Sequence, residues 1–141
     1  MRFAALQQAI FNRLNNSAVT SLLSSAYPGP AIFTDVPQPV DGGDISLFPY
    51  ITYGVSTVAP FDTDDQPGGS AVVQVDVWFR GTSDLAMNAI GDAVDLRLRR
   101  QPLSIAGTTH ITTELVSATK TDDPDGMTKR IMLLFRVLYL D

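Results

Sequence analysis

Three aspartates, Asp62, Asp64 and Asp65, crowd one short polar stretch, and the chain has a single imidazole, His110. Alternating loop carboxylates suit hard cations such as calcium or magnesium, which are held by oxygen ligands. This stretch has neither a glycine at a fixed turn position nor a distant glutamate to close the coordination shell. It therefore reads as an exposed acidic loop and a candidate contact surface. A second acidic group, Asp123-Pro124-Asp125-Gly126, fails as an EF-hand: with Gly126 at the sixth loop position, Thr121 would be first and Met132 twelfth, and neither is an acid. A turn explains those residues, with proline presetting φ and Asp123 bonding back to the backbone. His110 lies among Thr108, Thr109, Thr112 and Thr113, and there is no Gly-x-Ser-x-Gly elbow, so it reads as a structural or exposed histidine.

Other chemistry lacks its residues. The chain has no cysteine, which removes disulfides, thiolate nucleophiles and zinc–thiolate sites. It has no Gly-x-x-x-x-Gly-Lys and no Gly-x-Gly-x-x-Gly, so nucleotide binding has no support. The expectation is a non-enzyme without catalytic residues, cofactor or metal, whose function is a surface. The competing enzymatic reading is a metal-dependent hydrolase using His110 with Asp62 and Asp64.

Charge supports a surface role. The 141 residues carry a net charge of −5, which argues against sequence-independent nucleic-acid binding. No Lys or Arg occurs between Arg13 and Arg80, while that stretch holds Asp35, Asp41, Asp44, Asp62, Asp64, Asp65 and Asp76. Basic residues gather at Arg97, Arg99 and Arg100, then at Lys120, Lys129, Arg130 and Arg136. Such asymmetry orients a molecule against a partner. No apolar run approaches the roughly 20 residues of a membrane-spanning helix, and the N-terminus lacks the continuous apolar region of a signal peptide.

The elements that must hold these residues follow from hydrophobic spacing. Phe3, Leu6, Ile10, Phe11 and Leu14 form one stripe of a helix. Ser17 is placed to cap a short second helix carrying Val19, Leu22 and Leu23. Pro28 and Pro30 lead into an extended segment, Ala31 to Val36, and Pro37 to Leu47 reads as a loop. Phe48 to Val58 reads as a strand, Pro60 to Gly69 as a loop, and Ser70 to Arg80 as a strand of clear alternation. On that strand Val73, Val75, Val77 and Phe79 should face the helices. Trp78 shares the other side with Gln74 and Asp76, where it packs against a neighbouring subunit or is only partly covered, the competing expectation being a second small core.

Thr82 or Ser83 caps a further helix whose expected buried stripe is Leu85, Ala86, Ala89, Ile90, Ala93, Val94 and Leu98, with the alanines permitting close approach to a sheet and Pro102 stopping it. Strands from about Thr109 to Lys120 and from Met127 to Leu140 should form a long hairpin. The fold class is α+β: residues 1–141 as a single domain, a mostly antiparallel sheet with two main helices packed on one face.

The order of these pieces resembles the tail terminator (tail completion) family of long-tailed siphophages, prophages and gene transfer agents. The matching residues are Leu6-Gln7-Gln8-Ala9-Ile10, Ile32-Phe33-Thr34-Asp35-Val36-Pro37, Phe48-Pro49-Tyr50-Ile51, Phe61-Asp62-Thr63-Asp64, Val75-Asp76-Val77-Trp78-Phe79-Arg80 and Asp123-Pro124-Asp125-Gly126. The stretch Val40-Asp41-Gly42-Gly43-Asp44 departs from the family by lengthening the link to Phe48-Pro49-Tyr50.

The resemblance implies a structural virion protein at the head-proximal end of the tail. There a homohexameric ring would cap the tail tube, end its polymerisation and join the head-tail connector or stopper protein. DNA would pass through the lumen without specific binding, and no membrane would be involved. The candidate interface residues are Asp62, Asp64, Asp65 and Trp78. The alternative within the same particle is another neck protein, an adaptor or stopper under the portal.

Overall fold

The computed structural model describes residues 2–35, 47–81, 83–122, 124 and 127–141. The chain runs α1 (Phe3–Leu14), α2 (Ser17–Thr20), β1 (Ile32–Phe33), β2 (Tyr50–Pro60), β3 (Gly68–Arg80), α3 (Asp84–Leu98), β4 (Thr109–Asp122) and β5 (Thr128–Leu140). The element order is the one the hydrophobic spacing gives. Five strands form one sheet in the order β1-β2-β3-β5-β4; β1 joins β2 in parallel and every other pair is antiparallel. β3 and β4 therefore point the same way, linked by α3, and β5 fills the gap between them. This is the expected α+β arrangement.

One core forms between the helices and one face of the sheet. Ala71, Val73, Val75 and Val77 of β3 lie opposite Val137, Phe135, Leu133 and Ile131 of β5, and all are buried. Period-two alternation puts the same face of both strands inward. α1 adds Leu6, Ala9, Ile10 and Leu14, and α3 adds Met87, Ile90, Gly91, Val94 and Leu98. A Cβ on Gly91 would come within 3.1 Å of Ile131 Cδ1, so this glycine, not an alanine, sets how closely α3 approaches β5. Arg13 Nε donates to the Arg97 carbonyl and Arg97 Nε to the Arg13 carbonyl, both at 3.0 Å, clamping the ends of α1 and α3 together.

Several expectations change in detail. Leu85, Ala86 and Ala89 are exposed, because the helix rotates Met87 and Gly91 inward in their place. Phe3 is 40% exposed, since it opens α1 a turn before the first core residue, Leu6. Asn16 rather than Ser17 caps α2: its backbone is extended and its side chain accepts from the Ala18 N–H at 3.0 Å. Ser83 caps α3 as expected, accepting from Leu85 N–H. The helix stops at Leu98, before Pro102; Arg100 takes a left-handed φ of 54° and its N–H bonds the Thr113 carbonyl at 2.7 Å.

β2 and β3 extend into the expected 60–69 loop, leaving only residues 61–67 between them. The extension brings Gly69 against the Tyr139 ring, where a Cβ would come within 2.3 Å of the hydroxyl oxygen. Within the expected 37–47 loop only Leu47 is described; Val36, and all but Pro124 of the 123–126 turn, also lie outside the described residues.

Candidate assembly surface

The hairpin tip between β2 and β3 carries the three aspartates. Asp62 Oδ1 accepts from Gly68 N–H at 3.1 Å, so this carboxylate closes the hairpin. Thr63 N–H donates to the Gln66 carbonyl at 2.8 Å, and Thr63 Oγ1 accepts from Gln66 N–H at 3.1 Å. That tight turn leaves Asp64 and Asp65 exposed at its apex. Gln66 Nε2 bonds the Asp141 carbonyl, Asp141 N–H bonds the Pro67 carbonyl, and Arg2 pairs with the Asp141 carboxylate. The acidic tip is thus fastened over the two ends of the chain. Among the described residues no three His, Cys, Asp or Glu side chains converge as a metal would require.

Trp78 sits at the opposite end of the same strand, on the sheet face away from the helices. Its strand neighbours are Tyr50 and Arg130. The Tyr50 ring stacks at 6.1 Å between centroids, and the Arg130 guanidinium lies 5.1 Å from the indole centroid. Trp78 Nε1–H donates to Thr52 Oγ1 at 2.9 Å. Tyr27, Phe33 and Phe48 extend the ring cluster, and Arg80 covers Phe48. Burial pushes the Tyr50 phenol up to about 12, keeping it neutral. Trp78 itself is half-buried. Its partners come from residues 27–52 and from Arg130, far away in sequence, so strand alternation shows its side of the sheet but not its company.

His110 braces a loop. Its Nδ1 accepts from Leu103 N–H at 3.3 Å, which leaves the proton on Nε2 to donate to Thr113 Oγ1 at 2.8 Å. The bonds hold the chain after α3 so that Leu103 and Ile105 are buried. Burial lowers the His110 pKa, favouring this neutral form. The structure does not bring His110 and the Asp62–Asp65 group together as a metal-binding cluster. A cavity of about 420 Å³ beside α3 gathers Asn88, Asp92, Asp95 and Lys120 over Ile131 and Leu133, and contains no nucleophile beside a base.

Among the described residues the sheet margins are open. β4 lies at one edge, with β-bulges near Ile111 and Val116 that leave both side chains exposed. At the other edge β1 covers β2 only at Ile51 and Thr52.

Residues 8–140 match the family described as tail completion protein gp17. The chain belongs to that family. It is a structural protein of the phage tail, not an enzyme, and its place is in the virion. The fold is also similar to a chain in a solved structure of the virion of a native gene transfer agent particle. That match has a TM-score of 0.79 and 20% identity over 96% of this chain and 95% of the other. No curated protein gives a significant match. The tail completion resemblance seen in the sequence motifs is therefore sound, and no helix among the described residues is long and apolar enough to cross a membrane.

Proposed function

We propose that this chain is a tail terminator: six copies close into a ring on the head-proximal end of the tail tube, stop tube growth and present a surface to the head connector or stopper protein. The observation that carries this reading is the family match across residues 8–140. Residues 1–141 act as one tail-terminator-like domain, and the ring is assembled from heterologous contacts, in which one patch meets a different patch on the next copy. The exposed Asp64 and Asp65, the turn held by Asp62, and the rim around Trp78 serve as contact points for neighbouring proteins. An acidic chain also suits a lumen through which DNA passes, because it offers no attraction to phosphate. Association entropy opposes the ring in dilute solution, so the free chain is a monomer that assembles on the tube.

Micrographs of particles made without the protein test the function. Overlong tubes unattached to heads are the expected result. Tails of normal length that only fail to join heads would replace this reading with that of an adaptor or stopper under the portal.

A further inference from the structure

α3 is apolar on two sides. Met87, Ile90, Gly91, Val94 and Leu98 face the core, yet Leu85 and Leu96 are 79% and 74% exposed and Ala86 and Ala89 are exposed between them. Leu85, Ala89, Asp92 and Leu96 follow at steps of four, three and four, which is one continuous stripe. It spans roughly 16 Å at 1.5 Å per residue. Asp92, on the flank of this stripe where it also lines the cavity shared with Lys120, is exposed and has no ion-pair partner among the described residues.

The bare face of the sheet carries a matching patch. Val72 of β3 and Leu134, Leu138 and Leu140 of β5 are half-buried on the side away from the helices. Leu134 to Leu140 spans roughly 20 Å along the strand. Arg136 lies midway between Leu134 and Leu138, exposed and also without an ion-pair partner among the described residues. Its cross-strand neighbour Glu114 is engaged instead by Thr112 Oγ1 and Arg100.

One patch is apolar with an acid at its edge, and the other is apolar with a central base. They lie on opposite sides of the molecule, since α3 covers the far face of its own sheet and turns Leu85, Ala89 and Leu96 away from it, with Asp92 at their edge. No chain can bring its own two patches together. We propose that the Leu85–Leu96 stripe of each copy docks on the Val72–Leu140 sheet face of the next, with Asp92 paired to Arg136 across the contact. The occupant of the bare sheet is thus a second copy of this chain. The contact is heterologous, the type that closes a ring, and the inference rests on the ring reading above.

Charge reversal tests it in assembled particles. Asp92→Arg and Arg136→Asp each leave the free chain folded, with only a small shift in thermal unfolding from the like charge then facing Lys120 or Glu114, because both residues are exposed. Each lowers incorporation into tails by about tenfold, as repulsion replaces attraction at a desolvated site. The double variant, carrying both reversals in every copy, restores incorporation. Single variants that assemble like the parent overturn the contact, and so does a double variant that stays as poor as either single. A second readout uses the absence of native cysteine. Ala89→Cys together with Leu138→Cys should give a ladder of disulfide-linked multimers in tails, and either variant alone should give none. Incorporated protein without a ladder also overturns the docking. Overlong tails in the deletion combined with no ladder would remove this contact while leaving the terminator function intact; normal tail length in the deletion would remove the terminator reading itself.

Discussion

The two faces of the sheet are built from the same strands and do different work. On the helix side, Val73, Val75, Val77, Leu133, Phe135 and Val137 are sealed beneath α1 and α3. On the bare side, their sequence neighbours Val72, Leu134 and Leu138 are half-buried and no helix among the described residues covers them. The first face contributes fold stability, at roughly 1.5–3 kcal/mol for each large apolar side chain fully removed from water. The second holds apolar area that the isolated chain leaves unused. A protein whose activity is assembly must carry such area, and here it is paired with exposed single charges that give it direction.

The largest effect should come from two adjacent residues of β5. Phe135→Ala empties a fully buried site and should cost about 3–5 kcal/mol in denaturant unfolding. Leu134→Ala, one residue away but on the bare face, should cost about 1 kcal/mol or less while reducing incorporation into tails. Equal destabilisation by the two would erase the distinction between the faces.

The aromatic end of the bare face is an exception, because it is satisfied within the chain. Trp78→Phe keeps a ring beside Tyr50 and Arg130 but loses the hydrogen bond to Thr52, so unfolding should shift by about 1 kcal/mol. Trp78 is the only tryptophan. A change in its fluorescence on assembly is expected if its exposed rim meets a neighbour, and an unchanged spectrum would restrict its role to the second small core. On the helix side, Ser83→Ala removes the α3 cap and should cost about 1 kcal/mol in the same unfolding measurement.

The smallest effect is on pH dependence. Burial lowers the folded pKa of His110 below its usual value of 6.5. Between that lowered value and 6.5 the unfolded chain binds a proton that the folded chain refuses, so stability is full above the window and falls as pH drops through it. Unfolding measured across this range should show that decline, and His110→Gln should remove the histidine's share of it. A stability that rises on acidification through the window would contradict the buried neutral imidazole.

The sequence disclosed most where one face is buried and the pattern has one meaning. β3 alternates Val73, Val75 and Val77 with polar neighbours, and its inward side was readable from that alternation. α3 was harder: apolar residues circle much of it, so Leu85, Ala86 and Ala89 competed with Met87 and Gly91 for the core, and only contact with Ile131 settles the rotation. Asn16 and Ser17 are adjacent cap formers, and local composition does not choose between them. The acidic loop was legible in composition, but Asp62 accepting from Gly68 depends on the hairpin register. The cluster around Trp78 was hidden because its members come from separate segments. The exposed α3 stripe was visible only as an excess of apolar residues, which became a surface once the core side was fixed.

Hydroxyl-radical footprinting of free protein against intact particles tests the division between the two faces most directly. Leu85, Leu96, Leu134 and Leu138 should be labelled in the free chain and protected in the particle, while Phe135 and Val75 should resist labelling in both. Equal labelling of those four leucines before and after assembly would show that the bare sheet face and the outer stripe of α3 remain in solvent, and would contradict the account.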